Sequence, residues 1–142
     1  MKKYIVIIIL ILIGLITILN IDFPVGSNDC FGKYANMNYD AAVCCVEAPH
    51  EPDTLILHTD GSFTSKFYGN GTFVIENGFT PRITLKYSDF GNGATYDTYF
   101  TNKINEGLRI ILNADSNHYY EKIEWLHVKF NLLFILQIPL NN

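Results

Sequence analysis

A two-residue alternation on either side of a turn, over residues 54 to 68, constrains this chain more than any other feature. Leu55 and Leu57 alternate with Thr54, Ile56 and His58; Phe63, Ser65 and Phe67 then alternate with Thr64, Lys66 and Tyr68. A period of two lets a strand bury one face and wet the other. Between the two runs stands Asp60-Gly61, a pair that tolerates the positive φ of a tight hairpin turn. The stretch reads as one β-hairpin.

The same grammar recurs downstream. Gly69-Asn70-Gly71 reads as a turn into Thr72-Phe73-Val74-Ile75-Glu76, and Asn77-Gly78 is the next break. Ile83, Leu85 and Tyr87 form the inward set of a strand over residues 82 to 87. Gly91-Asn92-Gly93 ends it, and residues 95 to 100 resume as a strand. Residues 108 to 112 and 118 to 123 are two more, separated by the polar turn Asn113-Ala114-Asp115-Ser116-Asn117. Upstream, a first strand is expected near Gly32-Lys33-Tyr34, residues 36 to 42 look irregular, and Val43-Cys44-Cys45-Val46 is a short strand candidate. Pro49 and Pro52 make residues 48 to 53 a loop. Beyond residue 24 no stretch shows a capped 3.6-residue period. The expected fold is therefore all-β, an antiparallel meander closing into a small barrel or sandwich. About eight strands close a barrel whose interior is either packed with side chains or holds one small ligand.

A different pattern precedes it. Met1-Lys2-Lys3 is a short basic start, and residues 4 to 19 run without a charge. Two readings stay open, an uncleaved signal anchor and a signal peptide cut at Val25-Gly26-Ser27, and both export the remainder. Cys30 follows Asp29 rather than a small residue, which disfavours a lipoprotein. Four segments follow: 1–23 the anchor or signal, 24–30 a polar spacer, 31–124 the β domain and 125–142 an apolar tail. In the tail, Val128, Phe130, Leu132, Phe134, Leu136 and Ile138 alternate with their neighbours, as an extra strand would.

Charge narrows the partners. The 142-residue chain carries a net −4, and without Lys2 and Lys3 its 8 basic residues face 14 acidic ones. A surface that neutralises phosphates needs a basic stripe, so nucleic acid is excluded.

The segments Gly32-Lys33-Tyr34, Asp53-Thr54-Leu55-Ile56-Leu57, Asp60-Gly61-Ser62-Phe63, Gly69-Asn70-Gly71-Thr72-Phe73 and Tyr119-Tyr120-Glu121-Lys122-Ile123 together resemble small exported lipocalin-like β proteins of Gram-negative, Bacteroidetes-type bacteria. The resemblance covers about residues 31 to 124. It implies a cell-envelope barrel without settled chemistry, either anchored in the inner membrane facing the periplasm or released into the periplasm. The chain departs from that pattern in lacking a lipobox and in continuing past Ile123.

Candidate chemistry is sparse. Cys30, Cys44 and Cys45 are the only cysteines. A bond from Cys30 to either of the others would close a loop of about 15 residues and add on the order of 3 kcal/mol. No Cys-x-x-Cys occurs, so zinc is not indicated. His50, His58, His118 and His127 are scattered, with His58 and His118 expected on outward strand faces. Asp89, Asn92 and Asp97 lack calcium-loop spacing and read as turn formers. Asp89-Phe90-Gly91 matches a kinase signature by letters alone, and Asn70-Gly71-Thr72 is a glycosylation sequon. No Gly-x-Ser-x-Gly accompanies a base, so the chain reads as no enzyme, without metal or cofactor. Phe63, Phe67, Phe73, Ile83, Leu85 and Ile110 form the inward set that would line a cavity for a small apolar ligand. The alternative is a filled core and a protein-binding surface, of the inhibitor or immunity type.

Overall fold

The computed structural model describes residues 2–40, 46–89 and 91–123. It contains one apolar helix and a closed eight-stranded barrel in which every strand pairs antiparallel with its sequence neighbour. The helix α1 spans Lys2–Asn20, is exposed along its length, and with a mean hydropathy of 2.5 is long and apolar enough to cross a membrane. The strands are β1 Gly32–Met37, β2 Thr54–Leu57, β3 Ser62–Ser65, β4 Gly69–Glu76, β5 Arg82–Asp89, β6 Asn92–Lys103, β7 Gly107–Asn113 and β8 His118–Lys122. Pairing of β1 with β8, from Tyr34↔Lys122 to Met37↔Tyr119, closes the ring and removes both sheet edges.

The meander gives the barrel two distinct ends. The β2–β3, β4–β5 and β6–β7 connections lie at the end where α1 enters, hereafter the helix end. The 38–53 connection and the β3–β4, β5–β6 and β7–β8 turns lie at the far end.

The central hairpin forms as its alternation predicts. Ile56 pairs with Thr64 and Leu57 with Phe63, while Leu55, Leu57 and Phe63 are buried. Gly61 takes φ +84 in the turn, and the Asp60 carboxylate accepts hydrogen bonds from the Ser62 amide and hydroxyl. Burying each such leucine or phenylalanine contributes about 1.5–3 kcal/mol. Ile83 and Leu85 also point inward as expected, with Tyr87 packed beside them.

Several expectations shift. β3 ends at Ser65, so the chain turns at Lys66–Tyr68 and Gly69-Asn70-Gly71 belongs to β4 rather than to a turn. The alternation therefore fails at Phe67, which is 44% exposed, and Tyr68 at 2% takes the interior place. Asn36 and Met37 extend β1 instead of starting an irregular stretch. Asn92 and Gly93 open β6, and the break before them sits at Gly91, φ +85. Val46 lies in an exposed turn, while residues 41–45 and the tail strand proposed for 125–142 fall outside the described residues. His118 is fully buried rather than outward: it is in phase with Tyr120 and Lys122, which pair with the inward-facing Asn36 and Tyr34 of β1.

Phe63, Phe73, Ile83, Leu85, Phe100 and Ile110 pack into one contiguous core. Its far end is closed by Tyr68, whose ring meets Phe63, Tyr87 and Tyr96 at 6.5, 5.0 and 5.9 Å. At the helix end, Phe31 packs on Phe73 at 6.1 Å and Cys30 is fully buried.

Candidate functional site

Three of the buried polar residues, Asn36, Asp53 and His118, are gathered at the far end of the barrel, and they hold the 46–53 segment in place. Asn36, on the inward face of β1, donates from Nδ2 to the carbonyls of Pro49 at 3.0 Å and Glu51 at 2.8 Å. Its Oδ1 lies 2.8 Å from Nε2 of His118. With the amide nitrogen occupied by two carbonyls, Oδ1 can only accept, so His118 carries its proton on Nε2. The other ring nitrogen, Nδ1, is buried with no hydrogen-bond partner among the described residues.

Asp53 is the second hub. Its Oδ2 accepts the Ser65 hydroxyl at 2.7 Å and the Tyr120 hydroxyl at 2.5 Å, and Oδ1 accepts the Lys66 amide at 2.8 Å. Its backbone carbonyl accepts the Asn36 amide at 2.9 Å. Burial and the adjacent Asp53 carboxylate push the Tyr120 phenol well above its usual range, so it stays a donor. Ser65 Oγ in turn accepts from the amides of Phe67 and Tyr68, both at 3.0 Å. One carboxylate thus ties β2, the β3–β4 turn and β8 together.

This scaffold frames a cleft of about 410 Å³ lined by Pro49, His50, Glu51, Pro52, Asp53, Lys66 and Phe67. A second, of about 390 Å³, shares Pro52, Asp53 and Lys66 and continues onto Ala35, Asn36 and Thr54. The walls are two prolines and Phe67, and the Lys66–Glu51 ion pair across the rim, 3.3 Å and well exposed, adds little stability. Volumes of this size suit a small ligand or an inserted side chain. Asp53 and Ser65 are both committed to the turn, so neither is set up as a base or nucleophile.

The residues picked from the sequence divide accordingly. Phe63, Phe73, Ile83, Leu85 and Ile110 are brought together, but as packed core. Phe67 leaves that set for the cleft wall. Cys30 sits at the opposite end as a free thiol, pushed up to about 11 mainly by burial, and Cys44 and Cys45 lie outside the described residues. No group of three metal-ligating side chains occurs among the described residues. Asn36, Asp53 and Tyr120 belong to no motif in the sequence, and His118, expected outward, is buried against Asn36 instead. The one local signal was polar Asp53 at the mouth of an otherwise apolar strand, next to Pro52.

Burial, then the neighbouring His50, lowers the pKa of His118. Its charged form is therefore favoured in the unfolded chain, and stability present above about pH 6.5 is lost as pH falls below that value. Melting temperature should drop on acidification from 6.5 in the native chain and be flatter in His118→Gln, which keeps a donor for Asn36. Parallel pH profiles would disprove the assignment.

Comparisons of the chain with protein-family models, with curated proteins and with solved structures return no match.

Proposed function

We propose that this chain is a non-enzymatic, exported envelope protein: a filled β-barrel held at a membrane by α1, which binds a protein partner through its far end. The observation that carries this reading is the packed interior. The inward set forms one core with Tyr68 across one mouth and Phe31 and Cys30 across the other. A lipocalin-like carrier would instead keep that volume free for its ligand. The binding surface then falls to the far-end cleft, whose wall residue Phe67 and neighbour Val46, 93% exposed, offer apolar contact away from α1. An exposed aromatic at the mouth of a cleft is the kind of side chain that anchors protein interfaces.

Two measurements test it on the full chain. Native mass spectrometry from detergent should return the bare protein mass, whereas a small-molecule adduct lost on denaturation would restore the carrier reading. A photo-crosslinking amino acid at Phe67 should yield one discrete protein adduct, absent when the same group replaces exposed Lys33 at the helix end of β1. Equal labelling from both positions would remove the far end as the binding face.

A further inference from the structure

We infer that residues 22–31 are a retained plug of the barrel, so that α1 is not cut away and the helix end, through Phe79 and Ile104, rests on the lipid surface that α1 enters. This deepens the tethered reading above and rests on it.

The stretch that composition marks as a spacer is bonded to the barrel on both sides of the only small-residue cleavage candidate, Val25-Gly26-Ser27. Upstream, the Phe23 amide donates to the Asn102 carbonyl at 2.8 Å and Asp22 Oδ1 accepts the Asn102 amide at 3.1 Å. Val25 packs against the core. Downstream, the Ser27 hydroxyl donates to Asn77 Oδ1 at 2.7 Å, and buried Lys122 donates to the Asp29 carbonyl at 2.6 Å. Tyr34, on the core side, donates its hydroxyl to the Cys30 carbonyl. The segment therefore reaches from β6 to the β4–β5 loop and β8. Cutting after Ser27 would discard the Asp22, Phe23 and Ser27 hydrogen bonds and the Val25 contact.

Length then sets the distance to the bilayer. A helix of 19 residues is about 28 Å long, which just matches a hydrocarbon core of about 30 Å. From Asn20, the chain reaches Phe23 within about 10 Å even if fully extended. Headgroup layers are about 5–7 Å deep, so Asn102 is held at the membrane surface. Two residues beyond it, in the β6–β7 turn, stands Ile104, 53% exposed; Phe79, in the β4–β5 loop, is 69% exposed. Tyr99, Arg82 and Lys103 flank them, residue types that favour the interface. Both apolar tips lie at the end where the helix enters, and both are exposed among the described residues.

The test places p-benzoylphenylalanine at Phe79, at Ile104 and, as the far-end control, at Phe67. The full chain is reconstituted into phosphatidylethanolamine–phosphatidylglycerol vesicles, irradiated and weighed intact. Phospholipid-mass adducts at positions 79 and 104 and none at 67 are expected, on a protein that keeps residues 1–27 when isolated from its producing membrane. An inserted, full-length chain with no lipid adducts at 79 and 104, or with equal adducts at all three positions, overturns the apposition while leaving the tether intact. A chain isolated without residues 1–27 overturns the plug and the tether together.

Discussion

Replacing Gly71 with alanine should destabilise the barrel by on the order of 3 kcal/mol, lowering its melting temperature by roughly 10 to 20 °C. Gly71 lies in β4 directly opposite Phe63 of β3. A Cβ built there would fall 2.2 Å from the Lys86 carbonyl oxygen and 2.6 Å from the Phe63 ring. The first obstacle is backbone of the paired strand β5 and the second is a core ring that is 1% exposed, so neither can swing aside cheaply. Either the β4–β5 ladder opens or Phe63 leaves the core. Gly93→Ala is the control, since nothing lies within 4 Å of its Cβ position and it sits in the β5–β6 hairpin. Thermal unfolding of both variants in detergent decides the matter. If Gly71→Ala melts within about 2 °C of the native chain, the close approach of β3, β4 and β5 described above is wrong.

The second large effect is expected at Asp53. Asp53→Ala should cost about 3 kcal/mol or more, because it strands the buried Tyr120 hydroxyl, the Ser65 hydroxyl and the Lys66 amide together. Tyr120→Phe removes one donor and leaves the carboxylate two others, so a smaller loss of about 1.5 kcal/mol is expected. The ordering matters more than either value. Chemical denaturation of the two single variants and the double variant gives the coupling directly. Additive losses would mean that Asp53 and Tyr120 do not act on one another. A loss at Asp53 of the size usual for surface substitutions would remove its role as the tie between β2, the β3–β4 turn and β8.

These two residues also mark where reading the chain unaided succeeds and where it stops. Gly71 is visible as a glycine in a turn-like triplet, yet its reason for being glycine is a carbonyl on β5, fifteen residues on. Asp53 is visible as a polar residue before a strand. Its partners come from β3, the following turn and β8. The cleft could not be foreseen because its wall residue, Phe67, continues an alternation that the chain itself abandons one residue after Ser65. His118 faces inward because it shares the phase of Tyr120 and Lys122, and that phase is set by pairing with Asn36 and Tyr34 of β1; all five residues of β8 are buried, so its own letters do not distinguish the two faces.

Local information was enough wherever the determining interaction is local. The two-residue period, the Asp60-Gly61 and Gly91 turns and the uncharged run of α1 depend on steric limits and solvation within a few residues, and each appears in the structure where its letters stand. The all-β class follows from them; the number of strands does not, since the letters also offer Val43-Cys44-Cys45-Val46 and the tail as strands. Closure of β1 on β8, the filling of the interior, the burial of Asn36, Asp53 and His118 and the docking of residues 22–31 on β6 and β8 belong to the tertiary structure alone. Each depends on groups tens of residues apart meeting in one register, and the free energy that selects the register is shared across the whole barrel rather than carried by any one segment.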